Sequence, residues 1–343
     1  MSRRRLYLDR APGETRAVVT LDGAPERLMI ERPGDPAVQR HGARAVARIA
    51  SLDRSLASLF LDLGAGPPAL APLAPGLAEG AMVEVEIVAE ARRGKGALAR
   101  LLGPARGPPR LIAPAPDLAA RLTAFALGEA IIEDPDAREA ADTAQDAALA
   151  VDHAVPGGGS IAVEATRALV AVDVDLGARR GDPRRIGRAA NLAAIETAAR
   201  VLRLKALGGL VVIDLIGKGH DGPALSAAAK AAFAPDEPGV SIGPISRFGA
   251  MELTLPRRWR PIAETLCEAD GGLSALSRGL ALLRDLERAA RADPGARLIA
   301  RAAPDAAEAA IAHMSELTGR IGARAEIAPD PALGPDQVHI EVR

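Results

Sequence analysis

The stretch GGLVVIDLIG, Gly208–Gly217, opens on two glycines, runs through branched apolar residues and closes on a third glycine. That pattern reads as a buried β-strand. Asp214 stands near its centre, where an ionised carboxylate is costly unless it is paired or binds a cation. Just upstream, DPRRIGRAANLAAIETAARVLRLKALGG (182–209) reads as a long helix. Leu192, Ile195, Ala199, Leu202 and Ala206 share one of its faces. Asp182 serves as N-cap, Pro183 fits the first turn and Gly208 is the expected stop. Before the helix, IAVEATRALVAVDVD (161–175) reads as a hairpin turning near Ala165, Thr166 and Arg167. Strand side chains alternate, so Asp173 and Asp175 share one face and Val172 and Val174 the other. A strand–helix–strand unit makes its two strands neighbours, which brings Asp173 and Asp214 together near the carboxyl end of the sheet. Carboxylates so close repel one another unless a divalent cation neutralises them. Hard oxygen donors with open positions suit Mg²⁺, with Mn²⁺ the other candidate. The plainer alternative is a set of solvated carboxylates at strand ends, and Asp175 falls at its strand's edge.

The bulk of the chain is compatible with such a site. It has 343 residues, 48% of them hydrophobic and 25% charged, enough for two or three domains with cores of their own. A net charge of −1 argues against a protein that is basic all over, yet leaves room for a local basic channel. One cysteine, Cys267, excludes an intrachain disulfide and a cysteine-rich zinc site, which fits a reducing cytoplasm. We read it as a small apolar residue. No apolar run reaches ~18 residues, so no membrane span is expected. MSRRRLYLDR lacks the apolar stretch of a secretory signal.

Residues 1–35 alternate like two short strands joined at Asp22-Gly23. ARAVARIASLD, SLASLFLDLG and AMVEVEIVAEARRGKGALARLLG, within residues 36–104, suggest about five short strands of a small Greek-key barrel of the OB type. GPARGPPRLIAPAP (103–116) reads as a linker, and residues 117–152 as largely helical. After residue 271 a small α+β unit follows, with PDAAEAAIAHMSELTGRIG (304–322) as one of its helices. Several side chains carry two readings each. Phe60 is either barrel core or a base-stacking surface. Lys95, flanked by glycines beside Arg92 and Arg93, is a phosphate contact or a solvated loop residue. Arg247 in SRFG can hold a phosphate, while Phe248 is read as core. Arg179 and Arg180, with Arg184, Arg185 and Arg188, form a basic run that is an RNA backbone track or a solvated helix start. Asn191 orients a ligand or water, or is a surface amide. His153 and His220 lack the spacing of a zinc site or a triad.

GGGSIAVEATRALVAVDVDLGARRG, NLAAIETAARVLRLKALGGLVVIDLIG and IGPISRFGAMELT together resemble the catalytic region of the bacterial ribonuclease E/G family. The resemblance implies an α/β and α+β multidomain chain. Its parts are an RNase H-like beginning (1–35), an inserted S1-type OB domain (36–104), a linker with a reduced RNase H-like part (105–155), a DNase I-like catalytic domain (156–270) and a small C-terminal domain (271–343). It implies a Mg²⁺-dependent endoribonuclease acting on single-stranded RNA, with Asp173 and Asp214 as metal ligands and a 5′-phosphate and 3′-hydroxyl as products. It makes Phe60 and Lys95 RNA contacts and implies a homo-oligomer, a dimer through the catalytic domain. Asp175 stands where the family has Asn and, as a carboxylate, is a third candidate metal ligand; Gly217 stands where the family has a further acid, and Leu70 where it has a second aromatic. The segment that senses 5′ ends and the paired cysteines of the family's zinc-link are missing, so no structural zinc is expected. These departures motivate a second reading, an RNA-binding protein of the same fold with weak or lost catalysis.

Overall fold

Strict alternation of apolar and polar residues starts the chain, and it produces antiparallel strands. In the computed structural model, which describes residues 3–133, 135–178, 180–217 and 221–343, β1 (Arg4–Ala11), β2 (Glu14–Leu21) and β3 (Ala24–Glu31) form a meander. Two strands were expected and three are present, because Pro12-Gly13 makes a second tight turn ahead of the one at Asp22-Gly23. Both residues of the latter turn have positive φ, 51° and 83°, the geometry that follows the twist of the flanking strands.

β4 (Arg44–Asp53), β5 (Ser58–Asp62), β6 (Ala69–Pro72), β7 (Met82–Ala89) and β8 (Leu98–Pro104) pair in the cyclic order β4-β5-β6-β8-β7-β4, so the sheet closes on itself. Ala45, Ala47, Ile49, Leu59, Leu61, Val83, Val85 and Ile87 fill it. The segment expected to be a plain linker contributes β9 (Arg110–Ala113), which adds to β4. Its run of prolines ends just before that strand, so the pairing survives. α1 (Leu118–Thr123), started by an N–H of Ala120 donating to Asp117, and α2 (Asp136–Leu149) cover the first sheet. Between them β10 (Ile131–Ile132) adds to β1 in parallel, an element absent from the helical reading of this stretch.

The sheet that carries the site has the order β11-β12-β13-β14-β16-β15. Its members are β11 (Asp152–Ala154), β12 (Ser160–Ala165), β13 (Val170–Asp175), β14 (Gly209–Asp214), β15 (Ser241–Ile245) and β16 (Ala250–Leu255). α3 (Pro183–Leu204) crosses over between β13 and β14, and α4 (Gly222–Phe233) follows β14. Both helices pack on one face, where Ile195, Ala198 and Leu202 meet Val172, Val174, Val211 and Ile213. α3 ends before the expected Gly208. Ala206 takes a left-handed φ of 54°, with hydrogen bonds from Ala206 N to Arg203 O and from Leu207 N to Leu202 O. That is a Schellman cap built on alanine.

α5 (Ile262–Leu266) leads to the C-terminal unit of α6 (Ala275–Ala292), β17 (Leu298–Ala302), α7 (Pro304–Ile311), α8 (Met314–Ile321), β18 (Ala325–Pro329) and β19 (Val338–Val342). One helix was expected where α7 and α8 stand. The chain breaks at Ala312-His313 so that α8 can reach the first hairpin, where Gly13 N donates to Glu316 at 2.8 Å. A side chain at Gly13 would strike Leu280 and His313. Charge ties this unit to the N-terminal sheet. Arg16, fully buried, binds Asp9 and Asp142, and Arg138 joins Asp9 to Glu287 on α6. Arg32 and Arg284 share Glu14. No helix among the described residues is long and apolar enough to cross a membrane.

Candidate active site

Asp173 and Asp214 are paired in direct register across the parallel strands β13 and β14. Neighbouring strands lie about 4.8 Å apart, so two side chains in register leave the same face side by side. Both aspartates are exposed. Asp214 is the last residue of β14, one step beyond the apolar centre the sequence suggested. The strand is covered on one side only. Val211, Ile213 and Leu215 are buried under the helices, while Leu210, Val212 and Asp214 face outward. The desolvation penalty anticipated for Asp214 therefore does not arise. Glu164 on β12 and Glu252 on β16 are exposed on the same open face, one pleat back from the aspartate pair, which makes this face acidic.

Asp175 lies one pleat beyond Asp173 on the same strand, where its carboxylate accepts the N–H of Gly177 at 2.6 Å. Among the described residues no three His, Cys, Asp or Glu side chains gather closely enough to share a metal ion. Asn191 is not the surface amide that one of its two readings made it. It is 1% exposed, and its amide holds the backbone just past Asp214. Nδ2 donates to Ile216 O at 3.0 Å, and Oδ1 accepts from Ile216 N at 2.9 Å. On the other side, Gly159 packs so tightly on the end of β13 that a Cβ there would lie 2.2 Å from Asp175 O. Helix and turn thus clamp the two strand ends from opposite directions.

The hairpin turn between β15 and β16 stands beside Asp214. Ala250 pairs with Asp214, and Leu215 N donates to Gly249 O at 3.2 Å. Arg247 and Phe248 sit at its tip, the guanidinium 4.7 Å from the ring centre. Phe248, read as core, is 80% exposed. The turn is too short to fold the ring back under the sheet, and no signal in SRFG reveals that. Arg180 is exposed ahead of α3, and Arg188 pairs with Asp221 at 3.2 Å. Arg179 lies outside the described residues.

On the barrel, Leu59 and Leu61 point inward and Phe60 therefore points outward, half-buried. The core reading of Phe60 fails on this alternation. Phe60 is in register with Leu70, and Leu70 with Leu98, which is 48% exposed, so the three form one apolar row on the outer surface. Lys95 is exposed at the tip of the β7–β8 loop. Gly96 lets that loop close onto the row, since a Cβ there would lie 1.9 Å from Pro68 O. Arg93 is engaged elsewhere, its backbone N–H on Glu264 and its guanidinium on Cys267 O.

The Ribonuclease E/G family model matches residues 117–258. Ribonuclease E of Haemophilus influenzae is 34% identical over 137 residues, which is 39% of this chain and 14% of that protein. Ribonuclease E of Escherichia coli is also 34% identical over 137 residues, 39% of this chain and 12% of that protein. The chloroplastic ribonuclease E/G-like protein of Arabidopsis thaliana is 33% identical over 132 residues, 35% of this chain and 13% of that protein. The chain thus spans a small fraction of the length of these relatives. The matched stretch contains Asp173, Asn191, Asp214, Arg247 and Phe248, and over it the chain resembles the Ribonuclease E/G family.

Proposed function

We propose that the chain is an endoribonuclease that hydrolyses phosphodiester bonds in single-stranded RNA at the Asp173–Asp214 pair. The observation that carries this reading is the direct register of the two aspartates at the carboxyl ends of adjacent parallel strands. Two exposed carboxylates side by side are a hard-oxygen donor set. Mg²⁺, or Mn²⁺, is commonly held by one or two carboxylates while keeping several waters, so the residues present fit it. Bound between Asp173 and Asp214, the ion would polarise the phosphoryl oxygen and stabilise charge on the reacting phosphate. The chain's own part is placement. Asn191 fixes the backbone after Asp214, and Arg247 and Arg180 offer cations to flanking phosphates. Attack of water on phosphorus breaks the bond to the 3′ oxygen, which takes up a proton, leaving a 3′-hydroxyl and a 5′-phosphate. An acidic open face repels a polyanion, so RNA binding there depends on such a cation and on these arginines.

The barrel extends the reading. Its cyclic order, numbered within the barrel 1-2-3-5-4-1, suits an OB-type fold of the S1 class, whose outer row Phe60, Leu70 and Leu98 with Lys95 would guide the strand toward the site. Mixed α/β organisation and separate cores support the division into RNase H-like, OB, DNase I-like and C-terminal domains. A dimer in a cytoplasmic setting completes the proposal. The second reading, RNA binding with weak or lost catalysis, is favoured by one observation: among the described residues only two carboxylates converge, with Gly217 beyond them. Purified protein incubated with Mg²⁺ and an AU-rich single-stranded RNA decides. Cleavage that Asp214→Asn abolishes supports the enzyme. Cleavage no faster than that variant's, with RNA binding retained, leaves the second reading standing.

A further inference from the structure

We propose that Phe248 is a stacking platform for one unpaired nucleobase of an RNA strand lying across the Asp173–Asp214 pair. The ligand class rests on the ribonuclease reading above; the site is additional to it. The chain has six aromatic residues of the Phe, Tyr and Trp types, and five of them are buried or half-buried. Phe248 alone stands in solvent, 80% exposed at the tip of a turn. An apolar ring of this size is normally kept out of water.

The ring is also held in a defined place. Ser246 N donates to Ala250 O at 2.8 Å and Gly249 N to Ser246 O at 3.0 Å, closing the turn. Ser246 Oγ accepts from Phe248 N at 3.3 Å and from Ala250 N at 3.2 Å. Ala250 is the register partner of Asp214, and Leu215 N is bonded to Gly249 O. The turn carrying the ring is therefore hydrogen-bonded directly to the strand end carrying the carboxylate. Arg247 lies over the ring at 4.7 Å, which stiffens it and sets a cation at its side. A flat apolar surface and an adjoining guanidinium match a nucleotide, base to ring and phosphate to cation. The same surface has no preference among bases, because every base offers a π-face. It sets which nucleotide is immobilised next to the scissile bond.

The test uses the full chain with Asp173 and Asp214 intact, Mg²⁺, and a short single-stranded RNA whose phosphorothioate linkages resist hydrolysis and which carries 2-aminopurine at successive positions. Stacking quenches 2-aminopurine fluorescence. One position is quenched on binding, Phe248→Ala removes that quench and weakens binding roughly 5- to 150-fold, and Phe248→Trp restores both. Unchanged affinity and quenching in Phe248→Ala overturn the platform while leaving the ribonuclease reading intact. A protein that binds no RNA with either residue overturns both. An altered sedimentation coefficient in Phe248→Ala with unaltered RNA affinity shows a protein contact instead, and also overturns the platform.

Discussion

Replacing Asn191 by alanine is expected to loosen the chain at Ile216 and, through it, the end of β14. The side chain makes two hydrogen bonds, of 2.9 and 3.0 Å, with the N–H and C=O of that single residue. A net hydrogen bond is worth about 1 kcal/mol, and a buried group left unpaired costs about 1–3 kcal/mol. Ile216 is half-buried, so water recovers part of the loss. The sum is about 2–3 kcal/mol, or roughly 30- to 150-fold in the opening equilibrium of this segment. Hydrogen exchange at the Ile216 amide reads that equilibrium locally, without requiring the whole chain to unfold in one step. Its protection should drop by that factor in Asn191→Ala. Asn191→Asp keeps the acceptor for Ile216 N but buries an acidic group whose second oxygen faces Ile216 O, so protection falls at least as far. Cleavage should slow in both variants in the same order. An Ile216 amide equally protected in all three proteins would show that the amide clamp contributes nothing, and the positioning argument would go with it.

Other consequences follow from the same structure. Ala206→Gly should stabilise the chain by about 1 kcal/mol in urea unfolding, because glycine adopts the left-handed φ of 54° without strain. Arg16→Met should destabilise by about 3 kcal/mol, since it leaves the buried Asp9 carboxylate with Arg138 as its one remaining cation, and Arg16→Met with Asp9→Leu should recover part of the loss. Burial, with the Lys205 ammonium and the Arg200 guanidinium nearby, pushes the His153 imidazole down to about 4. The unfolded chain then binds a proton near pH 6.5 that the folded chain refuses, so this contribution is fully present above pH 6.5 and is lost as pH falls toward 4. Urea unfolding at pH 7.5 and pH 5 should differ by roughly 2 kcal/mol more in the wild type than in His153→Gln.

What could be read from the residues was the part that obeys simple periods. The alternation in VAVDVD, the 3.6-residue period of α3 and the rule for parallel crossovers together place Asp173 beside Asp214, and the register agrees. The exposure of Asp214 was not legible, because an apolar run looks alike whether one face or two are covered, and here Leu210 and Val212 face outward. Long-range contacts hid the rest. The break between α7 and α8 depends on Gly13, some three hundred residues away in sequence. The end of α3 at Ala206 violates the local preference for glycine, and hydrogen bonds to Leu202 and Arg203 hold it there. Phe248 misled because its environment is set by a tight turn. Asn191 meets Ile216 only after α3 docks on the sheet.

The distribution of charge separates what holds the fold from what serves the site. Arg16, Arg32, Arg138 and Arg284 are buried with Asp9, Glu14 and Glu287, where removing one partner leaves an uncompensated charge in a poor solvent. That cluster specifies how the C-terminal unit sits on the N-terminal sheet. Asp173 and Asp214 are treated in the opposite way. Two charges about 5 Å apart in water repel by only about 1 kcal/mol, so strand register alone can hold them together with no cation present. The same pair moved under the helices would require an ion merely to fold. Exposure on the open face therefore leaves the carboxylates close and accessible with no ion needed for folding, so that the cation binding proposed above would be free to respond to RNA rather than to the needs of the core.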